Sequence, residues 1–290
     1  MNKASICCFL LLCCLIGLNA QSEEIDSLMH VVKLQEDNEE KVDNLVKIAY
    51  EYTRIDIELS SEYAQQALDI SDDLKYKKGQ ASGLWLLALT GYYKGNYDVA
   101  LDYGNKSLVI AESINDPLTI LRTANTISAI YGLKAKHDAS IEYLLYAYKA
   151  SVQLDDSLMM LQLLQNLGFL HRKENNISEA KKHYKKLSTF EVHPSSSPTY
   201  ITYLNYGTGV YHFINDEHEE AIQFYKKAIP LATSEGNLFA LAILHEGIGE
   251  SYYELDSYTR AEFHFKEALA NYETIGTTEH KVQILSLIHI

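Results

Sequence analysis

Between Gly249 and Leu269 the sequence GESYYELDSYTRAEFHFKEAL alternates apolar and polar positions with a helical period. Apolar residues return every three or four places, a short polar stretch at Asp256 interrupts them, and the spacing resumes with Ala261, Phe265 and Ala268. This predicts two helices joined by a tight turn, each with one apolar face. The same alternation runs back along the chain. Glu23 to Leu34 reads as a capping helix with Ile25, Leu28, Val31, Val32 and Leu34 on or near one face. Val42–Tyr52 with Ser60–Ile70 reads as a first hairpin, and GQASGLWLLALTGYY with ALDYGNKSLVIAES as a second. TANTISAIYG with SIEYLLYAYKAS, LLQNLGFLHRK with ISEAKKHYKKLS, and TYLNYGTGVYHF with EEAIQFYKKAIPLA continue the series to the sixth. One such hairpin cannot bury its apolar face alone, whereas stacked copies can.

The hairpins are copies by spacing as well as by pattern. The small residue opening the second helix recurs as Ser60, Ala100, Ser140, Ala180, Ala221 and Ala261, at steps of 40, 40, 40, 41 and 40. A small residue within the first helix recurs as Ala88, Ser128, Gly168, Gly209 and Gly249. A late small residue recurs as Ala67, Ser107, Ala147, Ala228 and Ala268, with Leu187 the exception. Small side chains at fixed places let helix backbones approach closely. On these residues the chain resembles the tetratricopeptide repeat (TPR) family over about residues 41–284, with repeats starting near 41, 81, 121, 161, 202 and 242. The resemblance implies an all-α fold, a right-handed α-solenoid of about six TPR-like hairpins with a ~40-residue period, longer than the usual unit of about 34. One stretch breaks the pattern: EVHPSSSPT, Glu191 to Thr199, carries two prolines and three serines and reads as a surface loop within the array.

Both chain ends depart from the repeat. Lys3, the apolar run from Ile6 to Leu18 and the small residue Ala20 before Gln21 have the form of a secretory signal peptide over residues 1–20. Residues 21–40 then hold the capping helix. The leader and its junction resemble exported proteins of Bacteroidetes-type bacteria, which implies a periplasmic location. At the other end, LSLIHI, residues 285–290, is what the transposon end used in DNA sequencing libraries encodes. We read it as an adapter artefact on a truncated gene; the competing reading is an ordinary apolar helix start continuing from Lys281.

Composition narrows the chemistry. All four cysteines, Cys7, Cys8, Cys13 and Cys14, lie in the leader. The exported chain therefore has no disulfide, thiolate nucleophile or cysteine-ligated zinc. Loss of the leader removes Lys3 and no acid, moving the formal charge from −14 to −15. An acidic chain without a Lys/Arg cluster argues against nucleic acid and anionic membrane surfaces as partners.

Candidate catalytic motifs fail on inspection. Gly207-Thr-Gly209 and Gly247-Ile-Gly249 follow no strand and lack the further glycine or Lys-Ser/Thr of a phosphate loop, so they read as helix-packing glycines. The eleven histidines do not cluster at ligand spacing; His171 and His183 could meet within the fourth hairpin and bind a metal, but histidine often fills the aromatic slots of this repeat, and that is the reading preferred. We expect no enzyme activity, no metal and no cofactor from this segment.

Binding is the remaining class. In TPR arrays the first helix of each hairpin lines a concave groove. Carried over, that role falls to Trp85, Tyr92 and Tyr93, then Arg122 and Asn125, then Gln162, Gln165, Arg172 and Lys173. Tyr203, Tyr206 and Phe213 follow, and Glu246, Glu250 and Tyr253 end the series. Aromatic walls with amide and guanidinium groups suit a peptide or protein ligand. Trp85 and Tyr92 are the residues most exposed to the alternative of packing only against neighbouring hairpins. The Lys/Asn clamp of chaperone-tail-binding TPRs is absent, its places holding Trp85 and Leu89, Asn125 and Ala129, or Gln165 and Phe169. The leader, the repeat and the truncated end resemble the input region of Bacteroidetes sensor kinases or transcriptional regulators. A membrane contact would then come only through a helix beyond Ile284. A stop soon after Ile284 would instead mark a free periplasmic adaptor for envelope assembly or transport.

Overall fold

The computed structural model describes residues 25–276, and within them every regular element is a helix. The proposed leader and adapter lie outside the described residues. The chain divides into two compact units at Leu154 and Asp155.

The first unit begins with α1 (25–34), whose Val32 packs with Val42, Leu45 and Ile48 of α2. Three hairpins follow: α2 (Glu39–Tyr52) with α3 (Ile57–Leu74), α4 (Lys77–Tyr93) with α5 (Tyr97–Ser113), and α6 (Pro117–Leu133) with α7 (His137–Gln153). The second unit holds α8 (Ser157–Lys173) with α9 (Ile177–Ser188), α10 (Pro198–Phe213) with α11 (His218–Ser234), and α12 (Leu238–Glu254) with α13 (Tyr258–Ile275). Within each unit every returning helix also packs on the next opening helix, and opening helices touch one another, as α4 touches α6 and α10 touches α12.

The turns explain the strict period. One residue in each of five hairpin turns takes the left-handed conformation: Gly95, Ala135, Asn175, Asp216 and Asp256. Its N–H bonds three residues back and the next N–H five back, as in Gly95 N to Tyr92 O at 3.0 Å and Asn96 N to Gly91 O at 2.8 Å. That closure stops a helix within one residue and leaves no slack. Between hairpins Lys75, Asn115 and Gly236 do the same. Asp116 then caps α6 by accepting from the N–H groups of Leu118 and Thr119, with Pro117 in the first turn. Residues 189–197 replace that compact joint ahead of α10, where Ser197 accepts from Tyr200 N.

The recurring small residues sit where helices cross. Ala100, Ala180, Ala221 and Ala261 are buried. Where serine takes that place its hydroxyl donates to the opposing helix: Ser60 Oγ to Ala49 O at 2.7 Å, and Ser140 Oγ to Ser128 O at 2.9 Å. A buried hydroxyl with a carbonyl partner carries little penalty, so Ser and Ala interchange here. Leu187, the exception among the late small residues, fills the space over Gly207, where a Cβ would lie 2.5 Å from its methyls.

Candidate ligand-binding cavity

The glycine pairs build the second unit's interior. A Cβ on Gly168 would meet the Tyr184 ring at 2.5 Å, one on Gly209 the Tyr225 ring at 2.5 Å, and one on Gly249 the Phe265 ring at 2.6 Å. Tyr225 also passes Gly247 of the following opening helix, where a Cβ would lie 2.8 Å from its ring. The rings of the returning helices therefore slot into gaps left by glycine on the opening helices. Tyr184 and Tyr225 reach through to the far side and line a cavity of about 660 Å³ there. That volume lies within the span of about 300–1,000 Å³ usual for ligand pockets.

Of the residues assigned to a groove from sequence, Gln165, Arg172, Lys173, Tyr206, Glu246 and Glu250 line this cavity. Phe213 stands beside it, its ring centre 5.6 Å from the Arg172 guanidinium carbon. Gln162, Tyr203 and Tyr253 are half-buried in the same unit without lining it; burial raises the Tyr203 pKa, and Tyr253 packs edge-on to Tyr258 at 5.5 Å. The remaining five belong to the first unit. Trp85 is only 3% exposed; its Nε1–H donates to Thr126 Oγ1 at 3.3 Å, and the Arg122 guanidinium covers its ring at 4.8 Å. Trp85 is a core residue with a cation over it. Tyr92 is half-buried against Tyr93 and Tyr97, Tyr93 is exposed, and Asn125 is half-buried.

Sequence reasoning missed Asn166, Phe169, Tyr184, Val210, Tyr225, Phe239, Ile243 and Gly247 in the cavity wall. Phe169 and Val210 lie one helical turn beyond Gln165 and Tyr206, so the period alone would have found them. Tyr184 and Tyr225 come from the other helix set, and their signal was the glycine sixteen residues before each.

The cavity's polar groups are incompletely matched. Gln165 Oε1 is buried without a hydrogen-bond partner. Among the described residues no carboxylate oxygen comes within 4.0 Å of the Arg172 guanidinium, although Glu250 lies within its field. Burial opposes the Arg172 charge, but Glu250 and the surrounding phenols outweigh it, and its pKa is held above the ordinary value. Glu246 accepts from Tyr272 Oη at 2.7 Å. Burial pushes the Glu250 carboxyl up to about 7 against the pull of Arg172, with Glu246 and Glu254 adding to the rise. Burial likewise raises Tyr184 to about 12 and holds Tyr206 and Tyr225 well above the usual phenol range, so all three are neutral donors.

The paired histidines occupy a repeating aromatic slot. His171 stacks on His183 with ring planes 9° apart, His212 on Phe224 at 10°, and Tyr252 on His264 at 23°. At His264 the ring Nδ1 meets His245 Nδ1 at 3.1 Å. No group of three or more metal-ligating side chains occurs among the described residues.

Comparison with known proteins bears on the fold. The tetratricopeptide repeat family model matches residues 200–274, the span of α10 to α13. No curated protein matches the chain. Among solved structures, aspartyl phosphate phosphatase F from Bacillus subtilis aligns with a TM-score of 0.64 at 18% identity, over 90% of this chain and 70% of that one. The apo form of the quorum sensor NprR from B. thuringiensis aligns at 0.62 and 14% identity, over 96% and 77%. A Rap protein complexed with competence and sporulation factor aligns at 0.61 and 17%, over 90% and 72%. At these identities the likeness establishes a TPR-like, all-helical solenoid fold and carries no activity across.

Proposed function

We propose that this chain is a non-catalytic scaffold that holds a peptide or a segment of a protein in the cavity of its second unit. The observation that carries the reading is the state of two polar groups there: the Arg172 guanidinium, hydrogen-bonded to the Tyr184 phenol but without a contacting carboxylate, and the buried Gln165 oxygen without a donor. A peptide supplies both complements, carboxylates for the cation and backbone N–H groups for the amide oxygen. Phe169, Phe239 and Ile243 offer apolar wall for its side chains. The quorum sensor and the factor-bound Rap protein among the structural neighbours are consistent with ligand capture on such a fold. The leader and the resemblance of the amino-terminal part to exported regulators extend the proposal to the periplasm and to the sensory input of a signalling protein.

Pull-down from a periplasmic extract with the full chain lacking its leader tests it. The wild type should recover a partner that the Arg172→Glu/Lys173→Glu variant loses while keeping its helical circular dichroism. Retention of the partner by a folded variant would remove the cavity from the account.

A further inference from the structure

Resting on that reading, we infer that the cavity selects ligands by a carboxylate, which seats on Arg172 in exchange for Glu250 and draws one proton from solvent onto Glu250 as it binds. Arg172 and Lys173 are the cations of the wall and Glu246 and Glu250 its anions. Glu246 is engaged by Tyr272, so Glu250 is the carboxylate left to answer Arg172, and it does so across more than contact distance. A partly buried ion pair that does not touch meets the cost of desolvation without the full return of a charge-assisted hydrogen bond. A ligand carboxylate on the planar guanidinium makes that bond, in bidentate form if it approaches end-on.

The exchange places two carboxylates on one guanidinium, and like charges in such a site do not both stay ionised. The groups facing Glu250 decide which one yields. Arg172 reaches it from α8, Tyr184 from α9, Tyr206 from α10, Tyr225 from α11 and Tyr272 from α13, while Glu246 and Glu254 share its own helix. One cation stands against two neighbouring carboxylates, and the phenols are neutral. Glu250 already sits near neutrality, at about 7, with Arg172 to itself. Sharing Arg172 with a ligand raises it further, and a ligand carboxyl in its ordinary range of about 3.5–4.5 stays ionised. Protonated Glu250 then becomes an acceptor and donor for the bound group. A cationic ligand would do the reverse, seating on Glu250 and releasing its proton.

The test uses the chain lacking its leader and two pools of short random peptides, one with free and one with amidated carboxyl termini. Recovered peptides should carry a carboxylate. Loss of binding on amidation identifies the terminus as its source; binding that survives amidation and depends on an Asp or Glu identifies a side chain. Either result supports the inference. Affinity should rise by about fivefold as pH is lowered from about 8 to 7, the slope of one linked proton flattening as free Glu250 takes up its own proton near 7. Glu250→Gln, which copies the protonated form, should bind with the low-pH affinity at every pH, and Arg172→Gln should lose at least about tenfold together with the slope. Recovered peptides that are neutral or basic, or a slope that is flat or reversed in the wild type, overturn the inference and leave the scaffold reading standing. Recovery of no peptide at all overturns both.

Discussion

In residues 25–154 the opening helices carry Ile48, Ala88 and Ser128 at mid-length, and the returning helices carry Ala64, Gly104 and Leu144 at the matching place. In residues 155–276 the same two places hold Gly168, Gly209 and Gly249, then Tyr184, Tyr225 and Phe265. The period is shared, but the place of the bulk varies along the first unit, with Ile48 opposite Ala64 and Leu144 opposite Ser128, while in the second every opening helix is slim and every returning helix carries a ring. Where the returning helix is slim, bulk comes from the opening helices themselves, and the run Leu84 to Ala88 is buried with Trp85 beneath Arg122. Where the opening helix is slim, rings pack into its glycine gaps, and the Tyr184 and Tyr225 phenols line a cavity. Repeat geometry therefore fixes where helices go, and the choice of which helix carries the large side chain fixes what their inner face offers.

Truncating a ring of the second unit's returning helices should have the largest effect. Tyr225→Ala removes a fully packed ring and is expected to cost about 3–5 kcal/mol in chemical denaturation. Importing the third hairpin's combination of Ser128 with Leu144, as Gly209→Ser with Tyr225→Leu, should recover a good part of that loss while weakening ligand capture. A double variant no more stable than Tyr225→Ala would break the comparison. Gly209→Ala alone overpacks the Tyr225 ring and should cost about 1–3 kcal/mol. The turns provide a smaller, opposite effect common to both units. Ala135 holds φ 52° where Gly95 holds φ 76° one repeat earlier. Relief of that strain, less the extra freedom of glycine in the unfolded chain, should make Ala135→Gly more stable by about 0.5–1 kcal/mol and Gly95→Ala less stable by a similar amount.

Acid gives the smallest and most selective contrast. Burial lowers His183 and His264 to about 4, with the neighbouring His171 and His245 charges next in effect. Between about 4 and the ordinary 6.5 the unfolded chain binds more protons than the folded one, so stability is lost as pH falls through that window. The first unit fills the same slot with Tyr52 on Tyr63 and Tyr131 on Tyr143, phenols in place of imidazoles. Glu250 acts in the opposite sense, stabilising toward low pH between about 4.5 and 7, so the comparison is cleanest in Glu250→Gln. In that background mild acid should loosen the second unit while emission from Trp85, the sole tryptophan, stays that of the folded first unit. His183→Phe/His264→Phe, which copies the His212–Phe224 stack, should remove the acid loss; an unchanged loss would assign it elsewhere.

The hairpins were legible in the sequence because their cause is local: small residues at fixed intervals mark helix crossings, and turn-forming Gly95, Asn175, Asp216 and Asp256 mark closures. Ala135 and Lys75 take the same left-handed conformation without any sequence sign, since tertiary packing there overrides residue preference. The opening-helix residues of the cavity could be placed by period. The phenols could not, because a side chain that crosses a neighbouring helix is visible only when a glycine and an aromatic sixteen residues apart are read together. Trp85 illustrates the same limit: its helical register is that of Gln165, Tyr206 and Glu246, but its bulk turns it into filling.

The loop at residues 189–197 has a consequence for how this chain can change length. One added residue turns the helix after it by about 100°, enough to swing an apolar face toward water. The compact turns transmit such a phase error undiminished, so most of the molecule admits change only in whole repeats. The single step of 41 between Ala180 and Ala221 spans that loop, which takes up the odd residue and returns α10 in phase. It is the molecule's expansion joint, the place where insertions can accumulate while the hairpins on either side keep their register.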